Sequence, residues 1–252
     1  MITSTTQSNN SNKRANQLLM VGLLTLSLAA CNDNDNEEMA VTPEQPVVTP
    51  VEPDMEYGYT ITLTNLTYAQ PLSPVAVVLH DEATMWQIGQ PASVALEKLA
   101  EGGDNTELLS LEENLATMSS EGPVPPGSSV SLDITTTEEM ANYLTVVSML
   151  VNTNDAFSGL TGVDISTLTV DQEKSWRLAV YDSGTEKNDE AMGTIPGPAD
   201  GGVGFDAVRN DIDLVGYHSG VVSKDDGLSN SVLTQAHRFD NPAIKLTITR
   251  TK

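Results

Sequence analysis

Three acidic residues stand out by position: Asp155, Asp182 and Glu186. The stretch from Thr145 reads TVVSMLVNTNDAFSGLTGVD, a buried strand that exits through Asn-Thr-Asn-Asp, and a later one reads WRLAVYDSGTE, a strand that exits through Asp-Ser-Gly-Thr-Glu. Each strand therefore delivers carboxylates at its end. Hard cations such as Ca²⁺ take roughly six to eight oxygens from carboxylates, carbonyls and water. Asp182 and Glu186 bracket a Ser-Gly-Thr turn tight enough to bring both carboxylates and a carbonyl to one side. Asp155 comes 27 residues before Asp182, across what reads as a long loop, and joins them only if the two strands are neighbours. Without an ion, three clustered carboxylates repel one another and at least one tends to hold a proton.

Other chemistry is less well provided for. The three histidines, His80, His218 and His237, are far apart and form no His-Glu-x-x-His pair. His80, after a buried run, reads as a hydrogen-bonded structural residue. No Gly-x-Ser-x-Gly elbow is present, and Gly197 to Gly204 lacks the Lys-Ser/Thr of a phosphate-cradling loop. Asp211-Ile212-Asp213 and Asp225-Asp226-Gly227 read as solvated turns. Acid pairs suited to glycoside hydrolysis exist, but among 35 acidic residues they carry little meaning. The chain is read as a binding protein and not as an enzyme, with an envelope hydrolase or a metal-free structural lipoprotein as the alternatives.

The motifs VSMLVNTNDAFSGL and YDSGTE, with Gly122-Pro123-Val124-Pro125-Pro126-Gly127 before them, resemble the spondin amino-terminal domain over residues 57–250. That pattern is a hydrophobic strand, Pro-Ser/Thr-x-Asp, an aromatic, x-Gly, and later Asp-Ala/Ser-Gly-Thr-Asp/Glu. Ala156 stands where animal members carry Trp, and Glu186 where they usually carry Asp. The resemblance implies an eight-stranded β-sandwich, similar to calcium-dependent membrane-binding modules, with end loops that hold Ca²⁺. It implies Asp155, Asp182 and Glu186 as the ligands, and a role in adhesion to an extracellular protein or glycan.

The elements that would position these acids can be read from periodicity. Tyr59, Ile61 and Leu63 alternate with threonines as a half-buried strand, and so do Val130, Leu132 and Ile134 with Ser129, Ser131 and Asp133. Ile244, Leu246 and Ile248 repeat the pattern near the carboxyl end. Val75 to Leu79 and Tyr143 to Val151 are apolar runs suited to strands covered on both faces. Trp176 to Tyr181 is another strand, and short strands are expected near Asp211 to Val215 and His218 to Val222. Ala92, Ala95, Leu96, Leu99 and Ala100 stripe a helix closed by Gly102-Gly103. Leu108, Leu111, Leu115 and Met118 stripe a second, opened by a capping box of Asp104 and Glu107. Strands at both ends with one helical insert predict a mainly β, antiparallel sandwich and not alternating βαβ units.

Composition agrees. Hydrophobic residues make up 39% of the chain and aromatics only 4%, so aliphatic strand faces must build the core. Against 12 Lys and Arg stand 35 Asp and Glu, all of them after residue 31. Such a surface repels phosphate backbones and excludes nucleic-acid binding.

The first 30 residues read as a lipoprotein signal peptide. Lys13 and Arg14 precede the apolar run LLMVGLLTLSLAA, which is too short for a membrane span. The run ends in Leu28-Ala29-Ala30-Cys31, a lipobox in which the only cysteine of the chain takes the lipidated place. With no second cysteine, no intrachain disulfide forms. Asn32 follows, so the expected address is the cell envelope, at the outer membrane or cell surface. Residues 31–56 are acidic and then proline-rich, an extended tether reaching on the order of 70 Å at ~3 Å per residue. The spondin-like domain occupies 57–252.

Overall fold

Alternation of aliphatic residues with threonine dictates the first strand. In β1 (Tyr57–Asn65) Tyr59, Ile61 and Leu63 are buried while Thr60, Thr62 and Thr64 lie on the other, partly exposed face. The computed structural model describes residues 55–81 and 84–252, so Cys31, the signal segment and most of the tether lie outside the described residues. β1 pairs antiparallel with β4 (Ser129–Thr136) on one side and β10 (Ile244–Arg250) on the other, and β10 pairs with β7 (Glu173–Leu178). The outward face of this four-stranded sheet is tied by side-chain bonds: the Thr60 hydroxyl donates to Asp133 at 2.5 Å, and Thr62 with Ser131, Thr64 with Ser129 and Ser175 with Thr247 each lie 2.8 Å apart.

The second sheet has six strands in the order β3 (Ala116–Ser119), β2 (Ala76–His80), β5 (Tyr143–Met149), β6 (Ala156–Asp164), β8 (Val180–Asp182) and β9 (Gly216–Tyr217), all antiparallel. The inward faces of both sheets share one core, in which Ile61, Leu63, Leu246 and Ile248 meet Val77, Leu79, Leu144 and Val146. The antiparallel sandwich expected from the sequence is therefore present, with ten strands among the described residues in place of the eight that the resemblance implies. The outer face of the larger sheet is covered as well. Helix α1 (Val94–Gly102) packs Ala95, Leu96, Leu99 and Ala100 onto Ala76, Val78, Val147 and Met149. This second cover explains why β2 and β5 are apolar runs without alternation. The helix starts where Ser93 accepts the Leu96 N–H at 3.2 Å and stops where Gly103 takes a left-handed φ of 69°.

Four expectations are corrected. The second helix is only the single turn α2 (Thr106–Leu109); Asp104 accepts from the Thr106 N–H instead of forming a box with Glu107, and Met118 lies on β3. The edge of β2 takes the chain over, beginning with the Leu115 N–H to the Leu79 carbonyl at 2.8 Å. Residues after Asp155 are not a long loop but strand β6, hidden in the sequence by Gly159 and Gly162. Gly159 is needed there because a Cβ would stand 2.2 Å from the Val146 carbonyl oxygen and 2.9 Å from Val147 Cα. The apolar run Trp176 to Tyr181 is not one strand: β7 belongs to the smaller sheet and β8 to the larger, with Ala179 at the crossing. Finally, neither expected strand between Asp211 and Val222 forms; Gly216 and Tyr217, lying between them, pair with β8.

Gly159→Ala should cost about 1–3 kcal/mol through overpacking. That amounts to a thermal midpoint lower by about 2–4 °C per kcal/mol in a domain of this size. Gly216→Ala, where a Cβ meets nothing within 4 Å, should melt like the wild type.

Candidate functional site

Strand pairing brings the separated acids together. Ala156, the first residue of β6, is opposite Asp182, the last of β8, so Asp155 meets the Asp-Ser-Gly-Thr-Glu turn directly. The Asp155 carboxylate has no solvent exposure. The turn wraps one of its oxygens: Oδ2 accepts from the Ser183 hydroxyl at 2.7 Å, the Thr185 N–H at 2.9 Å and the Glu186 N–H at 3.1 Å. Its other oxygen, Oδ1, is buried with no partner among the described residues. Burial first, and then the Asp182 charge, push the Asp155 carboxyl up to about 7 in spite of those donors.

The turn owes its shape to Gly184, with φ of 72° and a missing Cβ that would stand 2.3 Å from the Leu214 carbonyl oxygen. Asp182 braces it, accepting the Gly184 N–H through Oδ1 at 2.8 Å and the Asn188 amide through Oδ2 at 2.5 Å. The segment from Gly204 to Val215 backs it, through Asn210 N–H to the Thr185 carbonyl at 3.0 Å and Asp213 N–H to the Gly184 carbonyl at 2.7 Å. His218 lies 4.0 Å from Asp182 Oδ2. Its Nδ1 accepts the Gly220 N–H, so the network puts the proton on Nε2, which faces Asn188 Oδ1 at 3.0 Å. Burial lowers the His218 pKa, so it stands beside Asp182 as a neutral ring.

Glu186 is half-buried. Its Oε2 has no partner, and burial followed by the Glu101 charge pushes its carboxyl up to about 8. The structure thus brings Asp155 together with Asp182 by strand register and with Glu186 by a backbone bond. Among the described residues no group of three or more His, Cys, Asp or Glu side chains is arranged as a metal-holding cluster. The donor chemistry nevertheless suits a hard cation: oxygens only, with buried carboxylate atoms that nothing else satisfies.

Two acids here were not expected. Glu190, fully buried at a φ of 48°, accepts the Val222 N–H through Oε1 at 3.0 Å, leaves Oε2 unpartnered and is pushed by burial to about 7. No sequence signal marks it. Glu101 is buried in the last turn of α1, and there a signal existed: an acid at a helix carboxyl end opposes the helix dipole. His80 is buried and bonds to the Thr145 hydroxyl at 2.9 Å, as a structural histidine should. A groove of about 420 Å³ between Ser120 to Pro125 and Ser129 to Leu132 is lined by none of these acids. No known family model and no curated protein matches the chain.

The raised carboxyls give a pH test. Asp155, Glu186 and Glu190 keep protons in the folded state to about pH 7–8, whereas unfolded carboxyls lose them near pH 4. The folded state therefore binds more protons, and stability falls as pH rises through that window. The histidines, all lowered by burial, act in the opposite sense but only below about pH 6.5. In chelator, the thermal midpoint should drop between pH 6.5 and 8.5 by at least about 2–4 °C, the shift for about 1 kcal/mol. Glu190→Gln should flatten the decline; an equally steep decline in that variant would remove Glu190 from the account.

Proposed function

We propose that this protein is a cell-envelope lipoprotein, anchored through Cys31, that presents a calcium-stabilised spondin-like sandwich for binding a protein or glycan. The observation that carries the calcium part is the meeting of Asp155 with the Asp182 to Glu186 turn, with Asp155 Oδ1 and Glu186 Oε2 buried and unpartnered. A divalent cation would supply the charge that these oxygens lack, and Ca²⁺ tolerates the irregular oxygen geometry that loop carboxylates offer. Asp155, Asp182 and Glu186 would hold it. Binding would draw their carboxylates inward and set the turn on its backing segment. The adhesive role rests on the resemblance of the two motifs to spondin domains, and the membrane anchor on the lipobox. A hydrolase would need an acid that substrate can touch, and the burial of Asp155 weighs against that role for it.

Thermal melts of the full chain in detergent, stripped with chelator and titrated separately with Ca²⁺ and Mg²⁺, test the site. Calcium at a hundredfold excess over Kd adds about 2.7 kcal/mol, an upward shift of roughly 5–10 °C, and magnesium should do much less. Asp182→Asn should shrink the calcium shift; a variant that melts like wild type in both calcium and chelator would show that Asp182 is no ligand. For the anchor, Cys31→Ser should move the protein out of the membrane fraction. Full membrane retention of that variant would contradict lipidation.

A further inference from the structure

We propose that the groove beside β4 is a docking site for an extended, basic segment of a partner protein, which adds to the smaller sheet as a new edge strand. This narrows the binding role proposed above to a peptide, and it stands on the sheet edge and not on the cation site. The phase of the β1–β4 ladder follows from one bond. The Asn65 N–H donates to the Ser128 carbonyl at 2.9 Å, and bonded pairs alternate along an antiparallel ladder. Val130, Leu132 and Ile134, opposite Leu63, Ile61 and Tyr59, therefore turn their N–H and C=O groups to β1, while those of Ser129, Ser131, Asp133 and Thr135 turn outward. Among the described residues β4 pairs with β1 alone, and no other backbone bond reaches those four residues.

Four strands lie at sheet edges, and three of them are protected. β3 and β9 are only four and two residues long, and β7 sets Glu173, Lys174 and Arg177 along its six; shortness and charge both discourage pairing with another chain. β4 is eight residues long, keeps unbroken register with β1 and holds no Pro, Lys or bulge. Its one charge, Asp133, is drawn onto the outer face by the Thr60 hydroxyl. The open side is also walled. Ser120 to Pro125, which includes the start of the Gly122 to Gly127 motif, faces Ser129 to Leu132 across the groove. Leu72 and Val124 exchange N–H···O bonds at 3.0 and 2.9 Å, and the Val124 carbonyl also accepts the Asn65 amide at 3.0 Å, so this wall is set before anything binds. Alternate side chains of an added strand would fall against Val124, Val130 and Leu132 on one side and beside Ser129 and Ser131 on the other. Charge selects the occupant. Glu121 lines the groove and Asp133 borders it, and among the described residues neither has a Lys or Arg partner. With 35 acidic residues against 12 basic ones, a second copy is repelled and a Lys- or Arg-bearing strand is attracted.

The test uses the full chain in detergent and a fluorescent peptide of alternating Lys and Val, against the same peptide with Glu in place of Lys. In the free protein the Ser129 and Ser131 amides should exchange with solvent faster than those of Val130 and Leu132, and the Lys peptide should slow them. Ser131→Pro removes an outward N–H and no ladder bond. It should bind the Lys peptide at least about tenfold more weakly, while Ser131→Ala, which loses only the hydroxyl beside Thr62, should bind like wild type. Glu121→Lys should weaken binding as well. If Ser131→Pro melts far below Ser131→Ala, Glu121→Lys decides, and unchanged affinity in it overturns the proposal. No binding by wild type, equal binding of the two peptides, or undiminished binding by a folded Ser131→Pro would each overturn it and leave the calcium site and a glycan partner standing. A wild-type dimer that Ser131→Pro dissolves would overturn it in favour of a second copy.

Discussion

A carboxylate sealed from water must be answered by donors or by positive charge, and Asp155 is answered on one oxygen only. Much of the loop end of the molecule is arranged around that residue. Its backbone leads into β6, its carbonyl receives the Ser183 N–H at 3.3 Å, and its side chain collects the successive N–H groups of Thr185 and Glu186. Such a concave array of amides can form only if Gly184 turns left-handed and the Leu214 backbone approaches to where a side chain would be. Alter the turn and Asp155 loses its donors; remove Asp155 and the turn loses the acceptor that gathers its amides.

The sandwich supplies what this arrangement needs. Because β7 and β8 lie in different sheets on either side of Ala179, the turn after β8 is carried by the larger sheet while the chain just before it is locked to β10 in the smaller. The helical insert closes the outside of the larger sheet. From α1, Glu97 reaches Arg209 and Glu101 reaches the Asp206 N–H, and the same segment bonds the turn through Asn210 and Asp213. Insert, backing segment and turn therefore form one hydrogen-bonded body around a small set of acids.

Much of the fold is legible in the sequence because its physical cause is local. Period-two alternation marks β1, β4 and β10, whose outer faces keep partial contact with solvent. Unbroken apolar runs mark β2 and β5, covered on both sides. Serine and glycine caps bound α1. What escapes has a tertiary cause. Gly159 looks like a loop residue, yet it is there because the β5 backbone passes too close for a side chain. Trp176 to Tyr181 reads as one strand because nothing local announces a change of sheet at Ala179. In the site, the acids of the two strand exits were legible as a motif, whereas Glu190 and Glu101 take their meaning from residues that fold against them from 32 and 105 positions later in the chain.

The placement of β1 has a mechanical consequence. The amino end of this strand lies beside the carboxyl end of the chain, with the Thr251 N–H bonded to the Gly58 carbonyl at 2.7 Å, and the strand runs between β4 and β10 as an interior member of its sheet. Any pull on the chain that precedes Tyr57 is therefore taken up by two ladders in shear. An edge strand would unzip one bond after another under the same load; here many bonds must give together.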